Sequence, residues 1–155
     1  MEGIVKTCCF TGHREERLAG KEDELREKLE IEIDEAILCG VKIFISGMAS
    51  GFDTWAAEAV LKRKDRGVSL ICAVPYDGFC KNCKILAEAD VVHYISKQYY
   101  HQIFYERNKW MVDRSDLVIA CYDGGDGGTR QTVKYAEKSG KKIINILMPD
   151  TLWIE

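Results

Sequence analysis

Four glycines fall within five residues at Gly124, Gly125, Gly127 and Gly128, one residue after the apolar run at 117–122 and directly before Thr129 and Arg130. Glycine backbone takes positive φ and approaches a ligand closely. The free N–H groups that open a following helix, together with its dipole, favour a phosphate. Thr129 adds a hydroxyl and Arg130 a cation. Two more strand-to-helix junctions share this build. The apolar run at 4–10 leads into Thr11, Gly12, His13 and Arg14, and the run at 41–45 leads into Ser46, Gly47, Met48, Ala49, Ser50, Gly51, Phe52 and Asp53. Each junction alone reads equally as a tight βα connection. In an open parallel sheet, however, the carboxyl ends of the strands share one edge, so three such loops can converge on one site.

Several side chains beside these loops carry chemistry of their own. His13 and Arg14 stand where a first βα loop meets its ligand, and an imidazole beside a phosphate gains a proton as pH falls through about 6.5. Asp53 is a good N-cap residue for the next helix, and an N-cap at this edge also faces the crevice. Arg107 lies in a helical stretch whose apolar positions include Ile103, Phe104, Trp110, Met111 and Val112. Its planar guanidinium suits bidentate phosphate recognition, and it can equally pair with Glu106 or Asp113 at the surface. Asn108 can hold a loop backbone or contact a sugar. Among the aromatics only Trp55 and Tyr76 fall beside ligand-edge loops, and aromatic residues at helical spacing usually belong to a core.

The elements that must position these groups follow from periodicity. Strand-length apolar runs at 4–10, 41–45, 68–74, 91–95, 117–122 and 143–147 alternate with stretches of helical period. That pattern is an α/β fold, a single Rossmann-like, doubly wound, mainly parallel sheet flanked by helices, spanning residues 1–155. Helices are expected at about 21–38, after Asp53 to 64, at 85–89, at 99–114, and from Thr129 to Ser139. Gly40, Gly67 and Gly140 mark helix ends.

At 155 residues the chain has room for one core without staples. Its formal charge of −3, with 22 Lys and Arg against 25 Asp and Glu, carries no global nucleic-acid signature. No apolar run approaches the ~20 residues needed to span a bilayer, so no membrane association is expected. Glu2 and a strand pattern stand where a signal peptide would, which points to the cytoplasm and reduced thiols. Four of the seven cysteines, Cys8, Cys9, Cys72 and Cys121, lie in expected strands as small buried hydrophobes. Cys80 and Cys83 have metal or redox spacing, but a structural zinc site needs four ligands and no second such pair accompanies them. No metal site and no cofactor is evident.

Taken together, four motifs resemble the YpsA-like family of the SLOG superfamily, which groups the DNA-processing protein DprA (Smf) with the LOG phosphoribohydrolases. They are Cys9-Phe10-Thr11-Gly12-His13-Arg14, Ser46 to Asp53, Glu106-Arg107-Asn108, and Gly127-Gly128-Thr129. Gly47, Ala49, Gly51 and Asp53 match the DprA pattern, as do Arg107-Asn108 with Ser115-Asp116. The LOG resemblance rests on Glu106-Arg107 and the final glycine loop. In that family an arginine and a glutamate after the loop serve N-glycosidic cleavage; here Arg107 is matched, but Thr132 stands where the carboxylate belongs. Cleavage of that bond builds oxocarbenium character and needs a positioned carboxylate, which threonine does not supply. Asp53, Glu106, Asp123 or Asp126 would have to substitute.

The resemblance implies a partner that is a nucleotide-like small molecule, bound by Thr11, Gly12, His13, Arg14, Ser46, Gly47, Gly51, Asp53, Arg107, Asn108, Gly125, Gly127, Gly128, Thr129 and Arg130. The alternative is a LOG-type nucleoside-monophosphate phosphoribohydrolase with Arg107, Asp53 and Glu106 as its catalytic candidates. DprA-like single-stranded DNA binding through Arg107, Lys109, Arg114 and Arg130 ranks third, because phosphate-sized loops account for the same arginines. A homodimer is compatible with the superfamily, although no apolar stripe demands one.

Overall fold

The computed structural model describes residues 6–147. Six strands follow in chain order: β1 Lys6–Gly12, β2 Val41–Ser46, β3 Ser69–Tyr76, β4 Val91–Ser96, β5 Leu117–Cys121 and β6 Lys142–Asn145. Their spatial order is β4-β3-β2-β1-β5-β6, and each neighbouring pair is parallel. The architecture is the doubly wound, Rossmann-like α/β fold that the alternation of strand and helix periods implies.

The strands read as continuous apolar runs because both faces of the sheet are covered. On β1, Cys8 and Phe10 enter one core with Phe44, Leu70, Cys72 and Ile119, while Cys9 enters the other with Ile45, Ala73 and Val118. The first core is closed by α1 Glu22–Leu38, α2 Phe52–Leu61 and α3 Cys83–Glu88. The second lies beneath α4 Ile103–Asp113 and α5 Gly128–Lys138. Helix α1 buries Leu25, Leu29, Ile33 and Ala36, a stripe at helical spacing. Ala56, Ala57 and Ala59 let α2 approach the sheet closely. Buried Arg63, two residues past the end of α2, ties that end to α1 by donating to Asp34 at 2.7 Å and to Glu30 at 3.0 Å.

Three local expectations need correction. Asp53 is not the N-cap of α2. That position belongs to Gly51, whose φ of +88° turns the chain early enough for the helix to start at Phe52. Helix α2 also stops at Leu61 rather than 64, and a short 3-10 turn at Lys64–Arg66 then ends at Gly67 with φ +79°. Helix α4 begins at Ile103 rather than 99, because Gln102 takes φ +74° and breaks the helical path before it. Of the strands expected at the two ends of the chain, residues 4 and 5 lie outside the described residues, and 146–147 follow β6 as a turn.

The chain steps outward from β1 through β2 and β3 to β4, then crosses back to place β5 and β6 on the other side of β1. The strand order therefore reverses between β1 and β5. The loops that leave their carboxyl ends diverge there, and a crevice opens between them.

Candidate functional site

All three glycine-bearing loops reach this crevice. The β1 loop is tied to β5 by His13 N–H donating to the Cys121 carbonyl at 3.2 Å, and to the start of α2 by Phe52 N–H donating to the His13 carbonyl. Gly12 permits that closeness, because a side chain there would collide with the Phe52 ring. A Cβ at Gly51 would lie 2.5 Å from the Glu15 backbone nitrogen. The result is a cleft of about 480 Å3, lined on the β1 side by Thr11, Gly12, His13 and Arg14 and on the α5 side by Gly127, Gly128 and Thr129. Asp53, Arg107, Asn108, Phe104 and Met111 form most of the remaining wall.

The α5 wall has the chemistry of an anion site. Gly127 caps the helix with φ +133° and without any side-chain hydrogen bond, so the first N–H groups of α5 have no capping acceptor. A Cβ at Gly128 would meet nothing within 4 Å. Arg17, on a 3-10 turn at Glu15–Leu18, holds the glycine loop from across the cleft. It grips Asp123 with Nε at 2.8 Å and Nη2 at 2.9 Å, and donates from Nη1 to the Asp126 carbonyl at 2.9 Å. The Arg17 guanidinium, followed by the Gly125 N–H, holds the Asp123 carboxyl down at about 2. Arg130 donates to the Gly124 carbonyl, so it braces the loop and does not line the cleft. Gly125 packs against Arg17 outside the lining.

His13 Nε2 accepts the Asp123 N–H at 3.1 Å and lies 3.0 Å from Asp123 Oδ1. It can accept from the backbone only as neutral imidazole and donate to the carboxylate only with a proton on Nε2. Burial pushes its pKa below the usual value, against the pull of Asp123, which favours the neutral ring.

Opposite lies a buried pair of unlike charge. Arg107 is 5% exposed and reaches beneath the β2 loop, where Nη1 donates to the Gly47 carbonyl at 2.5 Å and to the Ala73 carbonyl at 3.5 Å. Its Nε donates to Asn108 Oδ1 at 2.7 Å. A Cβ at Gly47 would fall 2.7 Å from Arg107 Nη1, so a side chain there would displace the guanidinium from its present position. Asp53 is also 5% exposed. Its Oδ2 accepts the Ala49 N–H at 3.3 Å, and its Oδ1 has no hydrogen-bond partner. Burial pushes its carboxyl up to about 6, against the pull of Arg107, the Ala49 N–H and Arg14. Ser46 lies outside the lining and is structural: its hydroxyl donates to the Asp53 carbonyl at 2.8 Å and accepts the Met48 N–H at 3.2 Å.

Other candidates are placed elsewhere. Glu106 is exposed on α4 and does not line the cleft. Thr132, where the LOG carboxylate would stand, is 2% exposed and donates its hydroxyl to the Gly128 carbonyl. Ser115 closes the end of α4 by donating to the Met111 carbonyl, and Asp116 accepts the Thr7 N–H, so this pair secures the opposite end of the sheet. Trp55 is core, beneath Arg26. Tyr76 joins Phe79, Tyr99 and Phe104 in an aromatic cluster, of which Phe104 reaches the cleft. Lys109 lies over the Tyr105 and Tyr135 rings and Arg114 over Trp110, while Arg107 is buried, so the four cations do not form an exposed strip. Cys80 is half-buried and Cys83 exposed. Among the described residues, no group of three His, Cys, Asp or Glu side chains is arranged to hold a metal ion, and no helix is long and apolar enough to cross a membrane.

Arg17 and Phe104 line the cleft although their sequence context does not single them out for a site. Arg17 sits in the charged run Arg14-Glu15-Glu16-Arg17, where nothing in the pattern separates a loop clamp from a solvated surface cation.

A polar crevice at the switch point of a parallel sheet, lined by the start of one helix and by a buried arginine and carboxyl, belongs to a Rossmann-like α/β protein. The sequence matches the YspA SLOG family (YpsA) over residues 8–152, and the chain belongs to that family. It is 29% identical over 140 residues to the uncharacterized SPbeta prophage-derived protein YoqJ of Bacillus subtilis (strain 168), covering 75% of this chain and 82% of that protein. Similar solved folds include TM1055, at a TM-score of 0.65 and 16% identity, covering 90% of this chain and 72% of that one. DprA from Helicobacter pylori, described by its single-stranded DNA binding mode, aligns at 0.68 and 20% identity over 89% of this chain and 63% of that one. The molybdenum cofactor binding protein of Rippkaea orientalis aligns at 0.62 and 20% identity, over 92% and 76%. These likenesses establish the fold.

Proposed function

We propose that the chain binds a nucleotide or a related phosphorylated, ribose-containing ligand in the switch-point cleft, as a sensing or processing module. The observation that carries this reading is the convergence, in one cleft, of the open α5 N-terminus with Arg14 and buried Arg107. The phosphate sits on the N–H groups of Gly128 and Thr129, where backbone donors and helix dipole act together. The cleft volume lies in the range of small-molecule sites.

The test is a thermal-shift screen against nucleoside mono-, di- and triphosphates, ADP-ribose and nicotinamide dinucleotides. At least one should raise the melting temperature of the protein. The Gly128→Val variant should fold, since that side chain meets open space, and should lose the shift because valine fills the phosphate position. An undiminished shift in the variant would count against the site.

One observation favours a second reading, hydrolysis of a nucleotide N-glycosidic bond. Asp53 is a buried carboxyl in the cleft wall, and its raised pKa suits acid–base work near neutrality. Chromatographic release of free base from any member of the panel would support this reading, and a ligand that stabilises the protein yet survives intact would leave binding alone. DNA binding has less support, because Arg107 is buried and two of its donors, Nε and Nη1, are engaged by protein.

A further inference from the structure

Among the described residues, Asp53 Oδ1 is the one buried side-chain nitrogen or oxygen without a hydrogen-bond partner. Such an atom is costly to leave unpaired, and here it belongs to a residue that lines the cleft. Its surroundings restrict what can satisfy it. An ionised Asp53 repels a phosphate, which therefore sits at the α5 wall. A cationic donor is opposed by Arg107 and Arg14, the two positive groups that act on this carboxyl. What remains is a neutral donor, either a hydroxyl or an N–H. Phe104 and Met111 add apolar surface to the cleft wall, suited to the flat face of a base, and Asp53 lines the same cleft with Arg107. In a ligand with its phosphate on α5 and its base against that apolar surface, the sugar hydroxyls are the neutral donors that lie between the two.

We propose that Asp53 accepts a hydrogen bond from a ribose hydroxyl, so that the cleft selects ligands by their sugar. This inference rests on the nucleotide reading above and adds a specificity-determining residue to it. It also sets the site against deoxyribose ligands, DNA among them, if the hydroxyl engaged is the 2′ one.

Isothermal titration with AMP, GMP, CMP and UMP, each beside its 2′-deoxy and 3′-deoxy counterparts, tests it. For whichever ribonucleotide binds, one of its deoxy counterparts should bind about 10- to 100-fold more weakly, the range of a hydrogen bond to a charged acceptor. In Asp53→Asn, where the acceptor is neutral, that gap should narrow to a few-fold while the ribonucleotide itself still binds. If both deoxy counterparts bind within about threefold of the parent, the inference fails and the nucleotide reading stands. An undiminished gap in Asp53→Asn overturns it in the same way. If no ribonucleotide of the panel binds, the inference is overturned, whereas the reading beneath it falls only if the wider thermal-shift screen is empty as well. The wild-type comparison needs no variant, so a folding defect in Asp53→Asn would not obscure the answer.

Discussion

Asp53 costs the fold free energy at neutral pH, which is unusual for a carboxyl so near two arginines. Burial outweighs the attraction of Arg107 and Arg14, and the folded pKa rises to about 6 from an ordinary value near 3.8. Between those values the folded chain holds more protons than the unfolded chain, so this group's contribution to stability is complete below about pH 4 and is lost as pH rises through about 6. A difference of that size corresponds to ~3 kcal/mol, from which an asparagine returns part because its own amide is left with an unpaired group. Asp53→Asn should therefore raise the melting temperature at pH 8 by several degrees, given roughly 2–4 °C per kcal/mol for a chain of this size, and should give no gain at pH 4. Calorimetry at the two pH values checks it; an equal shift at both would mean that the burial of charge is not the cause. Asp53 thus weakens the free protein while lining the cleft with one buried oxygen unpaired, the kind of perturbed carboxyl that clusters at functional sites.

At the scale of elements, the loops are built by glycines whose backbone the side chains around them require. Gly51 has φ +88° and lies against the backbone of Glu15 and Arg14, whereas at Gly20, with φ +82°, a Cβ would meet nothing within 4 Å. Alanine at Gly20 meets only the cost of the left-handed backbone, about 1 kcal/mol. Alanine at Gly51 adds a collision with main chain that no rotamer relieves, so it should cost at least about 2 kcal/mol more in denaturant unfolding and should separate the β2 loop from the β1 loop. Equal costs for the two substitutions would show that the loops are not packed as described. The same glycine explains what is and is not legible in the sequence. The strands are legible because a sheet covered on both faces demands unbroken apolar runs such as those around Phe10, Phe44 and Ile119. The start of α2 is not, because capping propensity favours Asp53 while the required turn belongs to Gly51. Gln102 carries a left-handed backbone that its residue type does not announce, so α4 starts later than its apolar period suggests. Glu106 shows the matching lesson for the site: adjacency to Arg107 in a motif places it about 100° around the helix, and it faces solvent.

For the whole molecule, the reversal of strand order beside β1 decides where a ligand can act. The two helix layers are separate, one built on α1, α2 and α3 and the other on α4 and α5, with β1 and β5 between them. The cleft takes walls from both: Asp53 from the first layer, Arg107, Asn108 and the α5 N-terminus from the second. A ligand there would add to the side-chain ties that already cross the cleft, Arg17 to Asp123 and Asp126 and Arg107 to Gly47. Hydrogen exchange should register this as a pattern rather than a general slowing. With a nucleotide that stabilises the protein, protection should rise at 11–17, 47–53 and 123–130, including the amides of Gly128 and Thr129 that open α5. The opposite edge of the sheet, where Lys6 pairs with Val41 and Leu117 with Lys142, should exchange as before. Protection confined to that opposite edge would place the ligand elsewhere and would detach the arginines and the glycine loops from the function proposed for them.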